Sequence, residues 1–207
     1  LSVLEYPKDQ WRLKVMQLPH EFVPPIKLDD GYIRIPENSY FVGTANKDDS
    51  TFTITDKVYD RAITIDFMDS NKAFEVEAET STITLSHSKL MELYGEALAN
   101  EELHMTEEDY GKLGTIFDYA SEHFDIALGN RILNQINNIV PVFMACGGSK
   151  ESAIDFMLAK KLVFKVEGRF EEHIKDSLAG LIDLLYKTYG DGTMQRTVKT
   201  ARAIMKN

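Results

Sequence analysis

Asn46 and Arg61 are the two side chains of this sequence best suited to phosphate chemistry. An apolar run, Tyr40 to Val42, passes into a small-residue turn, Gly43-Thr44-Ala45, that delivers Asn46. About one short helix later comes Arg61, directly before a second apolar run from Ile63 to Phe67. An amide at a strand tip both donates and accepts, so it can hold a water in line for attack. A guanidinium carries permanent charge on a planar set of donors, so it can neutralise a γ-phosphate. Each residue also has a plainer reading. Asn is favoured in strand-to-loop turns, and an Arg at the C-terminal end of a helix is favoured by the helix dipole. Lys47, Asp48, Asp49 and Ser50 follow Asn46. They read as a solvated loop, with magnesium or a neighbouring subunit as the functional alternative.

Arg131 is the third candidate. It follows Leu128-Gly129-Asn130 and opens the most apolar helical segment, and a helix N-terminus favours anions. Pairing with an acidic neighbour such as Asp125 is the structural alternative. Other chemistries have little footing. The histidines at 20, 87, 104, 123 and 173 show no metal-ligand spacing. Cys146 has no nearby His and reads as a small buried residue beside a glycine turn. No Gly-x-Ser-x-Gly nucleophile turn occurs.

The elements that must position these residues fall into two halves. Residues 6–25 are broken by Pro7, Pro19, Pro24 and Pro25 and read as irregular. Ile26–Leu28 and Tyr32–Ile35 around Asp29-Asp30-Gly31 predict a hairpin. The Tyr40 and Ile63 runs predict strands buried on both faces, as parallel sheets require. Thr55 or Asp56 is expected to cap a short helix through Asp60. From about residue 70 the pattern turns helical. Helices are predicted from Ser86 to Ala99, from Thr106 to about Ile126, and over the run Ile132 to Met144. The last of these should be kinked or shortened by Pro141 and ended by Gly147-Gly148. Further helices start at Ser149 or Ser152, span Ile174 to Tyr189, and run from Thr193 to Lys206.

The chain's 207 residues are enough for one large or two small domains with a real core. A net charge of −10 disfavours bulk binding of nucleic acid by this segment. Basic residues gather between Lys187 and Lys206, where a solvated helix face is the default reading. No apolar run approaches the roughly 20 residues that span a bilayer, and no secretion leader is visible. With a single cysteine, a cytoplasmic setting is expected.

The Asn46 and Arg61 segments, taken together, resemble the second half of a AAA+ ATPase core, most closely the McrB-like branch. Leu1-Ser2-Val3-Leu4-Glu5 is similar to the Leu-Ser-x-Leu-Glu segment that follows the magnesium-binding strand in that branch. Ala153-Ile154-Asp155 and the run Lys160 to Gly168 resemble a further family segment, with Phe164 where proline is usual. The phosphate loop G-x-x-x-x-G-K-[ST] and the Asp-Glu strand do not occur in this sequence.

The resemblance implies α/β plus α: the C-terminal portion of a P-loop NTPase core (a partial parallel sheet with a hairpin) over residues 1–70, then a helical lid domain over 71–207. It implies catalytic roles for Asn46 as sensor 1 and Arg61 as arginine finger, and nucleotide binding by Arg131 as sensor 2. Many family members carry two consecutive arginines where this chain has Asp60-Arg61. The implied cofactor is ATP or GTP with Mg2+, bound by a full-length protein of which this would be the C-terminal piece. The implied partners are other copies in a ring and an effector subunit such as an McrC-like nuclease. The piece alone would be inactive, and the parent would be a restriction factor if the effector matches the family's. A non-catalytic helical protein-interaction module is the alternative, and an acidic scaffold without nucleotide is a third reading.

Overall fold

The computed structural model describes residues 2–19, 21, 23–44, 58, 62–65, 82–167 and 173–206. It divides into two compact units, Leu1–Ala62 and Ile63–Asn207.

The first unit is built on one antiparallel pair. Strand β1 (Arg12–Lys14) lies against β2 (Tyr32–Arg34) in the register Arg12 with Arg34, Leu13 with Ile33 and Lys14 with Tyr32. The expected Asp-Gly turn is formed. Asp30 and Gly31 have φ of 46° and 80°, and the amides of Asp29 and Tyr32 donate to each other's carbonyls at 2.9 and 2.7 Å. Two successive positive φ values make a primed turn, whose twist suits a hairpin. A Cβ on Gly31 would fall 2.1 Å from the Met16 carbonyl oxygen, so only glycine fits. The strand that pairs with β2 differs from the predicted one. Ile26–Leu28 curls into its own turn, with the Leu28 amide donating to the Pro25 carbonyl. The ladder instead uses a segment that reads as irregular because prolines flank it. Arg12 and Lys14 both lie over the Tyr32 ring, at 4.9 and 5.7 Å, and help fix this choice. The core here is slight: Ile35 is buried, whereas Leu13 and Ile33 stay exposed.

The Tyr40 run carries no ladder in its described part, 39–44, and neither does 62–65 of the Ile63 run. Among the described residues no parallel pairing occurs. The short helix expected through Asp60 lies outside the described residues except at Val58, whose carbonyl accepts from the Ala62 amide at 2.8 Å.

The second unit is a helical bundle. Helix α1 (His87–Ala99) starts where Ser86 accepts from the Lys89 amide. Helix α2 (Glu107–Phe124) starts on a full capping box: Thr106 accepts from the Asp109 amide, and the Asp109 carboxylate accepts from the Thr106 amide. Helix α3 (Asn130–Ala145) runs through Pro141 and stops one turn beyond it. The proline ring is buried, so packing offsets part of the missing backbone bond. The stop is a Schellman turn: Gly147 donates to Met144 and Gly148 to Phe143, with φ of 86° at Gly147.

Helix α4 (Lys150–Leu158), capped by Ser149, continues through a π turn, Ala159–Val163, and a last turn, Phe164–Val166. Phe164 is helical there, so a proline is not needed at that place. Helix α5 (Ile174–Tyr189) ends at Gly190, and α6 (Gln195–Lys206) follows.

Leucine, isoleucine and valine at helical spacing make one core. Ile116 and Phe124 of α2, Ile136 and Val140 of α3, Met157 of α4, Leu181 of α5 and Val198 of α6 are all buried in it. Within this core α3 packs on α4, α2 on α5, and α6 on α4, α5 and the π turn. Helix α1 touches α3 and buries only Ala97. Among the described residues no helix is long and apolar enough to cross a membrane.

Candidate functional site

Arg131 is the predicted site residue that lies in the described bundle. It is an exposed residue of the first turn of α3. The preceding Gly129 is extended, and its carbonyl accepts from the amides of Ile132 and Leu133 at 3.0 and 3.3 Å. Glycine brings no side chain to the helix end, so no side-chain cap covers the first amides. A cation beside those amides adds to the positive end of the helix dipole, which is a setting that attracts anions. Asn46 and Arg61 lie outside the described residues. Thr44, two positions before Asn46, is exposed.

Two polar clusters of the bundle carry roles that local sequence patterns do not reveal. Asp155 of α4 is buried, and its carboxylate takes three donors from the start of α6. Oδ2 accepts from the Arg196 amide at 2.8 Å. Oδ1 accepts from the Thr197 amide at 2.9 Å and from the Thr197 hydroxyl at 2.7 Å. A helix usually receives its cap from the residue just before it. Here the cap arrives from another helix, so Asp155 both neutralises the dipole of α6 and fixes where α6 docks. The Ala153–Asp155 motif is thus packing and capping.

The second cluster joins the starts of α2 and α4. Lys150 donates to Asp109 at 2.8 Å, with both side chains largely buried. Burial pushes the Asp109 carboxyl up. The Lys150 ammonium and the Thr106 amide and hydroxyl, all bonded to it, outweigh that and hold it below the ordinary value of 3.8. The Tyr189 hydroxyl is buried nearby, with no hydrogen-bond partner among the described residues. Burial first, and then the charges of Asp109 and Glu151, push its phenol far above the ordinary tyrosine value. A carboxylate that titrates only in acid and a phenol that stays neutral give no acid–base pair near neutrality. This cluster ties helix ends together.

A shallow groove of about 300 Å³ lies between α1, α2 and α3, lined by Leu98, His104, Met105, Tyr110, Asn137 and Asn138. His104 Nε2 lies 2.9 Å from the Leu98 carbonyl, and Tyr110 donates to Asn137 at 3.1 Å. These bonds turn His104 Nε2, the Tyr110 hydroxyl and the Asn137 oxygen to partners within the protein. Among the described residues no group of three or more metal-ligating side chains is assembled. Cys146, expected to be buried, is exposed: the helix ends at Ala145, and the cap residue falls outside the packed faces. Compared with known proteins, the chain matches no family model, no curated protein and no solved structure.

Proposed function

We propose that this chain is the sensor and lid portion of an McrB-like AAA+ NTPase that binds and hydrolyses ATP or GTP with Mg2+ in a cytoplasmic ring. One observation carries the reading. The two apolar runs expected as inner strands, Tyr40 to Val42 and Ile63 to Ile65, leave their side chains in solvent, with Val42 91% and Ile65 72% exposed. Strands of a parallel sheet are covered on both faces. Further strands and helices of a nucleotide-binding core would supply that cover.

In such an assembly Asn46 orients the attacking water. Arg61 reaches the nucleotide of the adjoining subunit. Arg131 meets the γ-phosphate from the first turn of α3. The phosphate-binding lysine, the glycine-rich cradle and the magnesium carboxylates are absent from this sequence, so the segment turns over no nucleotide alone. An effector subunit such as an McrC-like nuclease is the partner this reading supplies.

The test is nucleotide turnover by the native polypeptide that carries this segment. Arg61→Ala should cost about 10³-fold or more, the range seen for arginine fingers. Asn46→Ala should cost about 10²-fold, as for loss of one preorganised donor. Turnover unchanged in both variants overturns the proposal.

A non-catalytic interaction module is the second reading, favoured by α1. Its Met91, Tyr94 and Leu98, spaced to share one face, are each between 36% and 43% exposed. Clustered exposed apolar side chains mark docking surfaces. No nucleotide binding by the native polypeptide would favour this reading.

A further inference from the structure

Helix α6 carries Arg196, Lys199, Arg202 and Lys206 and no acidic residue. Steps of three, three and four residues keep them within about 120° of one face, about 15 Å from end to end. All four are exposed, while Thr197, Val198 and Ala201 are buried on the other side of the helix. An open groove of about 660 Å³ runs along the strip, lined by α6 residues alone, none of them acidic. Arg196, Arg202 and Lys206 make no ion pair among the described residues. Arg196 stands in the first turn, where the helix dipole opposes a cation. Helix stability therefore does not account for it.

A row of fixed cations is complemented by a row of fixed anions. A nucleic-acid duplex carries one phosphate charge per about 1.7 Å of its axis, so a 15 Å stretch presents about nine, more than one for each cation. Two other polyanionic surfaces fit less well. A helix that lies on a membrane sinks its apolar face among the lipids, and the apolar face of α6 is buried in the protein core. A single strand is held by aromatic rings on which its bases stack. The two rings at the strip are already engaged by it: Arg196 lies over Phe156 at 5.7 Å, and Arg202 donates to the Tyr186 hydroxyl at 3.1 Å. The rest of the chain carries −14 once the four cations of α6 are taken from the net charge of −10. That charge repels a polyanion and confines contact to the strip.

We propose that the α6 strip docks the phosphate backbone of a double-stranded nucleic acid, without reading its bases. The inference stands apart from the nucleotide reading, and its test uses no nucleoside triphosphate. The probe is a labelled DNA duplex of about 20 base pairs, titrated with the chain and followed by fluorescence anisotropy between about 50 and 200 mM salt. Four phosphate contacts give a slope of log K against log salt near −3.6, a loss of about 150-fold in affinity over that range.

Two triple variants locate the site. Arg196→Gln, Arg202→Gln and Lys206→Gln together should bring the slope to about −0.9 and weaken binding at low salt by about tenfold or more. Lys8→Gln, Lys27→Gln and Lys89→Gln together change the net charge equally but lie outside α6, and should leave affinity within about twofold. Circular dichroism checks that both stay helical, and the salt slope of the unaltered chain stands as the test if either does not. No binding at low salt, a slope shallower than about −2, or equal weakening by the two triple variants overturns the proposal. Tighter binding of the single strand, of anionic lipid vesicles or of poly-glutamate would assign the strip to a different partner and overturn it as well.

Discussion

Removing the Asp155 carboxylate should undo the docking of α6. Asp155→Ala strips one helix cap and leaves the amides of Arg196 and Thr197 without their acceptor, while the Thr197 hydroxyl keeps the Asp155 backbone carbonyl at 3.0 Å. Loss of a cap costs about 1–2 kcal/mol. Each donor left unsatisfied adds about 1–3 kcal/mol where water does not reach it. Thr197 is fully buried, whereas Arg196 is exposed and its amide can recover water. The sum is about 2–5 kcal/mol, or roughly 4–20 °C in Tm for a domain of this size. Asp155→Asn keeps one acceptor oxygen and should cost less, about 2 kcal/mol. Thr197→Val should lose part of the same network, so the double variant Asp155→Ala, Thr197→Val should cost less than the two singles added. Urea unfolding followed by far-ultraviolet circular dichroism reads all four. A cost below about 1 kcal/mol for Asp155→Ala, or strict additivity in the cycle, would refute the account of α6 as a helix capped from α4.

The Asp109–Lys150 pair should show in acid. The folded carboxyl sits below its ordinary value, so its contribution is present above about pH 4 and is lost as pH falls through the folded value. Lys150→Met should remove the largest of the lowering causes, leave the Thr106 bonds in place, and shallow the drop in urea midpoint between about pH 5 and pH 3. An unchanged acid limb would count against the pair. A third prediction concerns Gly180, where an added Cβ would lie 2.3 Å from the Tyr119 hydroxyl oxygen but 3.4 Å from the ring carbon bearing it. Gly180→Ala should cost about 2 kcal/mol through overpacking and loss of the Tyr119–Ser177 bond. Adding Tyr119→Phe should recover part of that cost, and a double variant worse than Gly180→Ala would refute the steric cause.

The parts of the fold legible in the sequence are those set by near neighbours. Ser86, Thr106 and Ser149 cap the helices they announce, because a cap needs only the next three residues. The glycine pair at 147–148 ends α3 for the same local reason. Asp30-Gly31 forms its turn, but turn chemistry does not choose the distant strand, and β2 pairs with Arg12–Lys14 instead of Ile26–Leu28. Pro141 is a local break signal that a buried position overrides. The role of Asp155 was invisible because its partners lie 41 and 42 residues away. Of the candidate site, the exposed start of α3 at Arg131 follows from Gly129-Asn130. Asn46 and Arg61 rest on the motif alone, and pairing of the strands beside them depends on chain neighbours that local patterning cannot supply.

The most direct measurement mixes two dead variants of the native polypeptide that carries this segment. An arginine finger serves the neighbouring subunit, so Arg61→Ala copies retain an intact Asn46 and Asn46→Ala copies retain an intact Arg61. Each variant alone should turn over ATP or GTP at least about 10²-fold more slowly than the unaltered protein. Mixed in equal amounts, they should recover a substantial fraction of turnover, because some interfaces then pair a good Asn46 with a good Arg61. A mixture no more active than the average of its parts would contradict a finger acting between subunits, and variants as active as the unaltered protein would contradict the nucleotide reading altogether.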